Sequence, residues 1–177
     1  MNRSIEANLK EVHRRIEAAC SRCGRSPEEI TLIAVSKTWP LEELQEAYRC
    51  GERIFGENKV QEILAKAPAM PEDARFHMIG HLQRNKVKQV LPFAALIHSV
   101  DSLRLAKQVQ EDAKREGRVA EILLEVNVAG EESKFGFAPK EVLDAVREIS
   151  LFPNIRVRGL MTIAPFVEVS EENRVFF

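Results

Sequence analysis

Short apolar runs alternate along this chain with stretches whose apolar residues recur every three or four positions. Ile5, Leu9, Val12, Ile16 and Ala19 form one such stripe, predicting a helix over Arg3 to Cys23 with Gly24 just past its end. Ile30 to Val35 is almost continuously apolar and β-branched, the pattern of a strand buried on both faces. Pro40 ends that run, and Leu41 to Cys50 reads as a helix stopped at Gly51. A short strand over Arg53 to Phe55 leads into a helix over Glu57 to Lys66. Further strands are expected at Arg75 to Ile79, Ala94 to Val100, Ala120 to Val128 and Ile155 to Ile163. Between them fall helices over Gln83 to Leu91, from Asp101 or Ser102 to Glu116, and from Pro139 to Ser150. Ser170 suits an N-cap for one more.

Strands alternating with helices at short spacing imply parallel strands joined by right-handed crossovers. The candidates are a doubly wound sheet and a (β/α) barrel. No G-x-G-x-x-G follows the first strand, which weakens a dinucleotide fold. Polar residues instead close the strands: Lys37, Asn58, His77, Ser99 with Asp101, Asn127 and Thr162. A barrel gathers such ends at one mouth, so a (β/α)8, TIM-barrel-like fold is the expectation, with about six of its eight strand–helix units present.

Composition narrows the function classes. The 177 residues are 45% hydrophobic and 30% charged with a net charge of −1, so no electrostatic argument favours nucleic acid or an anionic membrane. The first ten residues show no apolar signal segment and no run reaches membrane-spanning length, so a cytoplasmic location is expected. Cys20, Cys23 and Cys50 are odd in number. Cys20 and Cys23 close a helix rather than opening one, and no second ligand pair follows, so neither a redox motif nor a metal site is read from them. His77 and His81 are separated by Gly80 and need not share a face; one is expected to line the mouth and the other to lie at the surface.

Lys37 sits where the first strand gives way to a loop, the end at which such folds bind ligands. Partial loss of water there should lower the ammonium's pKa toward the range in which the amine attacks carbonyls, the chemistry of a Schiff-base lysine. A lysine that merely reaches solvent is the alternative. Asn58 and Asn127 could orient a ligand or cap the turns that follow, and Glu57 could cap its helix. Ser133, Lys134 and Gly136 lie in a loop that could take an anion. Arg84, Lys86 and Lys88 read as solvated surface.

Several motifs carry a resemblance. Ala34-Val35-Ser36-Lys37-Thr38, Phe55-Gly56-Glu57-Asn58 with Gln61-Glu62, and His77 through Lys86 resemble the pyridoxal phosphate homeostasis proteins. So do His98-Ser99-Val100-Asp101-Ser102, Val126-Asn127-Val128, Ser133-Lys134-Phe135-Gly136 and Arg158-Gly159-Leu160-Met161. The resemblance implies a barrel related to that of alanine racemase, holding pyridoxal 5′-phosphate as an internal aldimine on Lys37. The implied cofactor-binding set is Lys37, Asn58, His77, Ser99, Asn127, Lys134 and Met161, with no metal. Trp39 and Lys59 depart locally from the family pattern, and nothing after Glu168 resembles the further units with which that pattern continues. The family continues with two further units that supply the phosphate cup and an arginine facing the pyridine nitrogen. Residues 1–177 therefore read as one cofactor-binding barrel domain, incomplete at its C-terminal end. A longer form is expected to be monomeric, whereas the apolar edges of this chain should make it associate.

The implied role is intracellular homeostasis of pyridoxal phosphate and of amino and keto acids, without catalysis. The alternative is an amino-acid racemase or other Schiff-base enzyme, which would need a positioned proton-transfer group. In alanine racemase a tyrosine from a second domain serves. The one tyrosine here, Tyr48, falls in an expected helix away from the strand ends.

Overall fold

The structure, a computed structural model, describes residues 4–131 and 134–176. Helix α1, Ile5–Cys23, begins at the N-cap Ser4, whose hydroxyl accepts from the Ala7 N–H. It ends at Gly24, which holds φ 67° as a left-handed cap. The strands are β1 (Ala34–Val35), β2 (Ile54–Glu57), β3 (Arg75–Met78), β4 (Ala94–Val100), β5 (Ala120–Glu125) and β6 (Ile155–Met161). Between them run α2 (Leu41–Arg49), α3 (Val60–Lys66), α4 (Val87–Val90), α5 (Leu103–Arg115) and α6 (Val142–Ile149).

Among the described residues the strands form one parallel sheet in the order β1-β2-β3-β4-β5-β6. Each strand lies beside its successor and the order never reverses. A doubly wound sheet reverses at a switch point, so the winding here is that of a barrel. The core lies between the sheet and its helices, where Phe55, Phe76, Ile122 and Leu124 meet Leu44 of α2, Ile63 of α3 and Val109 of α5. These side chains are essentially inaccessible, and each contributes roughly 1.5–3 kcal/mol through its burial.

Three local readings are corrected. The first strand is ladder-bonded only over Ala34–Val35 and is not buried on both faces, since Val35 is 49% exposed. A ladder needs a partner, and β2 meets β1 only at Ala34↔Phe55 and Val35↔Gly56. Glu57 ends a strand rather than capping a helix, because α3 begins three residues later. The starts of the helices expected over Gln83 to Leu91 and Pro139 to Ser150 are tightened into 3-10 turns at Arg84–Lys86 and Pro139–Glu141, and Ser170–Phe176 is also 3-10.

Candidate functional site at the C-terminal ends of the strands

The turn after β1 is built from both sides. Ser36 is buried; its N–H donates to the Gly56 carbonyl at 3.0 Å and its hydroxyl to Glu57 Oε1 at 2.7 Å. Ser36 to Trp39 then form a four-residue turn closed by the Trp39 N–H on the Ser36 carbonyl at 3.2 Å. Thr38, its third residue, holds φ 66°. That is the pattern of a type II turn, which ordinarily takes glycine there. A β-branched residue in this region carries about 1–3 kcal/mol of strain and needs outside support.

The support comes from α3. Glu62 Oε2 accepts from the Thr38 N–H at 2.8 Å. Lys66 Nζ donates to the Ser36 carbonyl at 2.9 Å, to Glu57 Oε1 at 2.8 Å and to Glu62 Oε2 at 2.8 Å, using all three of its protons. The Lys66 hydrogen bond and the Thr38 N–H hold the Glu62 carboxyl down at about 2. Burial pushes the Glu57 carboxyl up. Burial pulls the Lys66 ammonium down, but the two carboxylates outweigh it and the net shift is upward.

Lys37 projects from this pinned turn. It is exposed, and among the described residues no hydrogen bond or ion pair engages its amine. The expected loss of water at Lys37 is therefore not what the structure shows. Asn58, half-buried, directly follows β2. Val35 pairs with Gly56, so Lys37 and Asn58 each follow the last paired residues of the two adjacent strands. Gly80 packs directly against Asn58: a Cβ there would stand 2.5 Å from the Asn58 carbonyl oxygen.

His77 lies deeper, paired in register with Gly56 and Leu96. Its Nδ1 is 3.0 Å from His98 Nε2. Burial, with the neighbouring His98 adding to it, pushes His77 down to about 4, and burial also lowers His98. One neutral ring donates to the other. Ser99 occupies the irregular step where β4 gains a residue on β5 between Ile97 and Val100; its hydroxyl is buried and has no partner among the described residues. His81 is half-exposed, stacks on Phe135 at 3.9 Å between ring centroids, and reaches Asp101 at 3.3 Å. Among the described residues no group of three or more side chains could hold a metal ion.

On the far side the loop after β5 is held by Asn127. Its Nδ2 donates to the carbonyls of Glu131 at 2.8 Å and Lys134 at 3.4 Å, and its Oδ1 accepts from the Glu131 N–H at 3.2 Å. These bonds engage Asn127 as a turn former. Lys134 pairs with Glu131 at 2.6 Å and lines a cleft of about 700 Å³ with Arg84, Arg104 and Phe135; Lys37 is not among that cleft's lining residues. Ser133 lies outside the described residues. Met161 stands opposite Glu125 at the end of β6. Burial, with Asp101 adding to it, raises the Glu125 carboxyl.

The alanine racemase N-terminal domain model matches residues 4–175. The pyridoxal phosphate homeostasis protein of Aquifex aeolicus is 42% identical over 170 residues, which are 96% of this chain and 75% of that one. The chain belongs to the pyridoxal phosphate homeostasis proteins of the alanine racemase N-terminal domain family. A solved protein of Bifidobacterium adolescentis superposes with a TM-score of 0.92 at 34% identity, covering 98% of this chain and 74% of that one. PipY of Synechococcus elongatus, solved with PLP bound, superposes with a TM-score of 0.77 at 34% identity, over 90% of this chain and 75% of PipY. Alanine racemase of Clostridium difficile, at 19% identity and a TM-score of 0.72 over 84% of this chain and 40% of that one, shares the fold.

The site has a group that sequence reading missed. Glu62 and Lys66 carry the Lys37 turn, and their four-residue spacing on a helix was visible. What it could not show is that the pair turns inward to the strand end.

Proposed function

We propose that this chain binds pyridoxal 5′-phosphate covalently at Lys37 and serves the cytoplasmic homeostasis of that cofactor and of amino and keto acid pools, rather than turning over a substrate. The observation that carries the reading is the exposed, unengaged amine of Lys37 on a strained turn at the C-terminal edge of the sheet. The cofactor supplies an aldehyde: the lysine nitrogen's lone pair forms the new C–N bond, and the carbonyl oxygen leaves as water with the two amine hydrogens. The chain's own part is to present that amine without a carboxylate partner, with Asn58 after β2 and the neutral His77–His98 pair of β3 and β4 in the same proposed set. The neutral imidazoles add no cation to the floor of the mouth. Met161 and the orphaned Ser99 hydroxyl belong to the same proposed set, as do Asn127 and Lys134, whose part is to shape the far loop. The match of residues 4–175 to the family and the PLP-bound PipY support the cofactor.

The racemase reading needs a proton carrier at the mouth. Tyr48 donates instead to Asp73 at 2.5 Å, just before β3 and thus at the opposite end of the sheet. No described helix is long and apolar enough to cross a membrane. The test is an absorbance titration with pyridoxal phosphate of the wild-type chain and of Lys37→Ala, together with an alanine and serine racemisation assay. The reading expects a visible band that Lys37→Ala loses and no turnover above free cofactor. Turnover lost in Lys37→Ala would establish the enzyme reading instead.

A further inference from the structure

The two peptide groups that flank Lys37 are both held by one turn of α3. The Ser36 carbonyl belongs to the peptide before Lys37 and accepts from Lys66 at 2.9 Å. The Thr38 N–H belongs to the peptide after it and donates to Glu62 at 2.8 Å. Lys66 and Glu62 also bind each other at 2.8 Å, so the clamp is closed. Glu57 completes it from β2 and is itself wholly buried.

We infer that Glu62 and Lys66 are positioning residues for Lys37: they lock the turn in its strained form and so fix the direction in which the amine is presented. The inference rests on Lys37 being the cofactor lysine. Type I and type II turns differ by a flip of their central peptide, which here joins Lys37 to Thr38. Thr38 favours the flip, since it would leave the positive-φ region. The Glu62 carboxylate opposes it by accepting the N–H of that same peptide. Once the peptide flips, Lys37 keeps its φ but its ψ changes by roughly 150°, and with it the χ1 rotamers open to the side chain, so the amine is no longer held in one direction. Glu62 and Lys66 touch Lys37 only through this backbone, so their effect is on its geometry.

The clamp yields a specific rescue. Glycine holds positive φ without strain, so Thr38→Gly should keep the turn in place without Glu62. In Glu62→Ala, Lys66 retains Glu57 and the Ser36 carbonyl, which leaves no buried charge unpaired. The experiment follows the rate at which the visible band develops when pyridoxal phosphate is mixed with wild type, Glu62→Ala, and Glu62→Ala combined with Thr38→Gly. Far-ultraviolet circular dichroism checks each fold. Glu62→Ala should slow band formation about tenfold, and adding Thr38→Gly should restore it to within about threefold of wild type. A wild-type rate in folded Glu62→Ala overturns the positioning role and leaves the cofactor reading standing; so does a slow rate that Thr38→Gly fails to rescue. A wild-type chain that takes no cofactor at Lys37 defeats the reading itself, and the inference with it. Amide exchange in the cofactor-free wild type gives a second readout that survives any misfolded variant. The Thr38 N–H should exchange slowly despite the exposure of its residue, and rapid exchange would overturn the clamp.

Discussion

Lys66 Nζ donates to the backbone carbonyl of Ser36 at 2.9 Å, tying the last residue of α3 to the end of β1. The same ammonium neutralises Glu57, whose side chain has no solvent exposure and whose second oxygen has no hydrogen-bond partner among the described residues. Removing one partner of such a buried pair strands the other. Lys66→Met should therefore cost about 3–5 kcal/mol in urea unfolding. Combining it with Glu57→Gln should recover most of that loss, because no charge is then left in the interior. Equal losses in the single and double variants would show that Lys66 acts through packing alone.

Protonation of the histidine pair should unfold the chain at mildly acid pH. His77 titrates at about 4 in the folded chain against its ordinary 6.5, because burial disfavours the imidazolium. The unfolded chain thus binds a proton that the folded chain refuses between those values. Stability is full above about pH 6.5 and falls as pH drops toward 4. His98 shifts in the same direction. Glu62, held at about 2, loses its contribution only below its ordinary 4.5, while Glu57 and Glu125, raised by burial, take up protons above that value and act with the opposite sign, so it is the difference between wild type and His77→Asn from pH 5 to 6.5 that isolates His77. Urea midpoints across that window should fall with pH in wild type and flatten in His77→Asn. An unchanged slope in the variant would remove His77 from the account.

Gly80→Ala should damage the Asn58 corner. Its added Cβ would meet the backbone of Asn58 at 2.5–2.9 Å, and backbone cannot swing aside as a flexible side chain can. A loss of about 1–3 kcal/mol and a displaced Asn58 amide resonance are expected. Wild-type stability and an unmoved resonance would contradict the close approach.

Asn127→Ala should loosen the loop after β5 and leave the sheet intact. The side chain makes three hydrogen bonds to the backbone of that loop, including the Glu131 N–H at 3.2 Å. Amide exchange should quicken around Glu131 and stay slow in β5. Were the loop to keep its protection while cofactor binding fell, Asn127 would be a ligand contact rather than a turn former.

The legible parts of this molecule are those that short-range pattern encodes. The 3.6-residue stripe of α1 and its Gly24 stop, the full span of β4 and the Ser102 cap of α5 were all written locally. The sequential winding followed from strand–helix alternation. Lys37 and Asn58 were legible as strand-end residues because a parallel sheet brings all such ends to one edge, whereas Met161 was offered only by the family resemblance. What was not legible depends on contacts between distant elements. The short ladder of β1 depends on where β2 meets it, and the partnership of His77 with His98 crosses two strands. The exposure of Lys37 follows from the turn at Thr38, whose positive φ no residue type there announces.

The central claim is that one lysine, Lys37, takes the cofactor, and its most direct test is borohydride reduction of the chain after incubation with pyridoxal phosphate, followed by a peptide map. The account predicts a single dominant label on the peptide carrying Lys37, with Lys66 unlabelled because its amine is committed to Ser36, Glu57 and Glu62. A dominant label on any other lysine, or none at all, would contradict it.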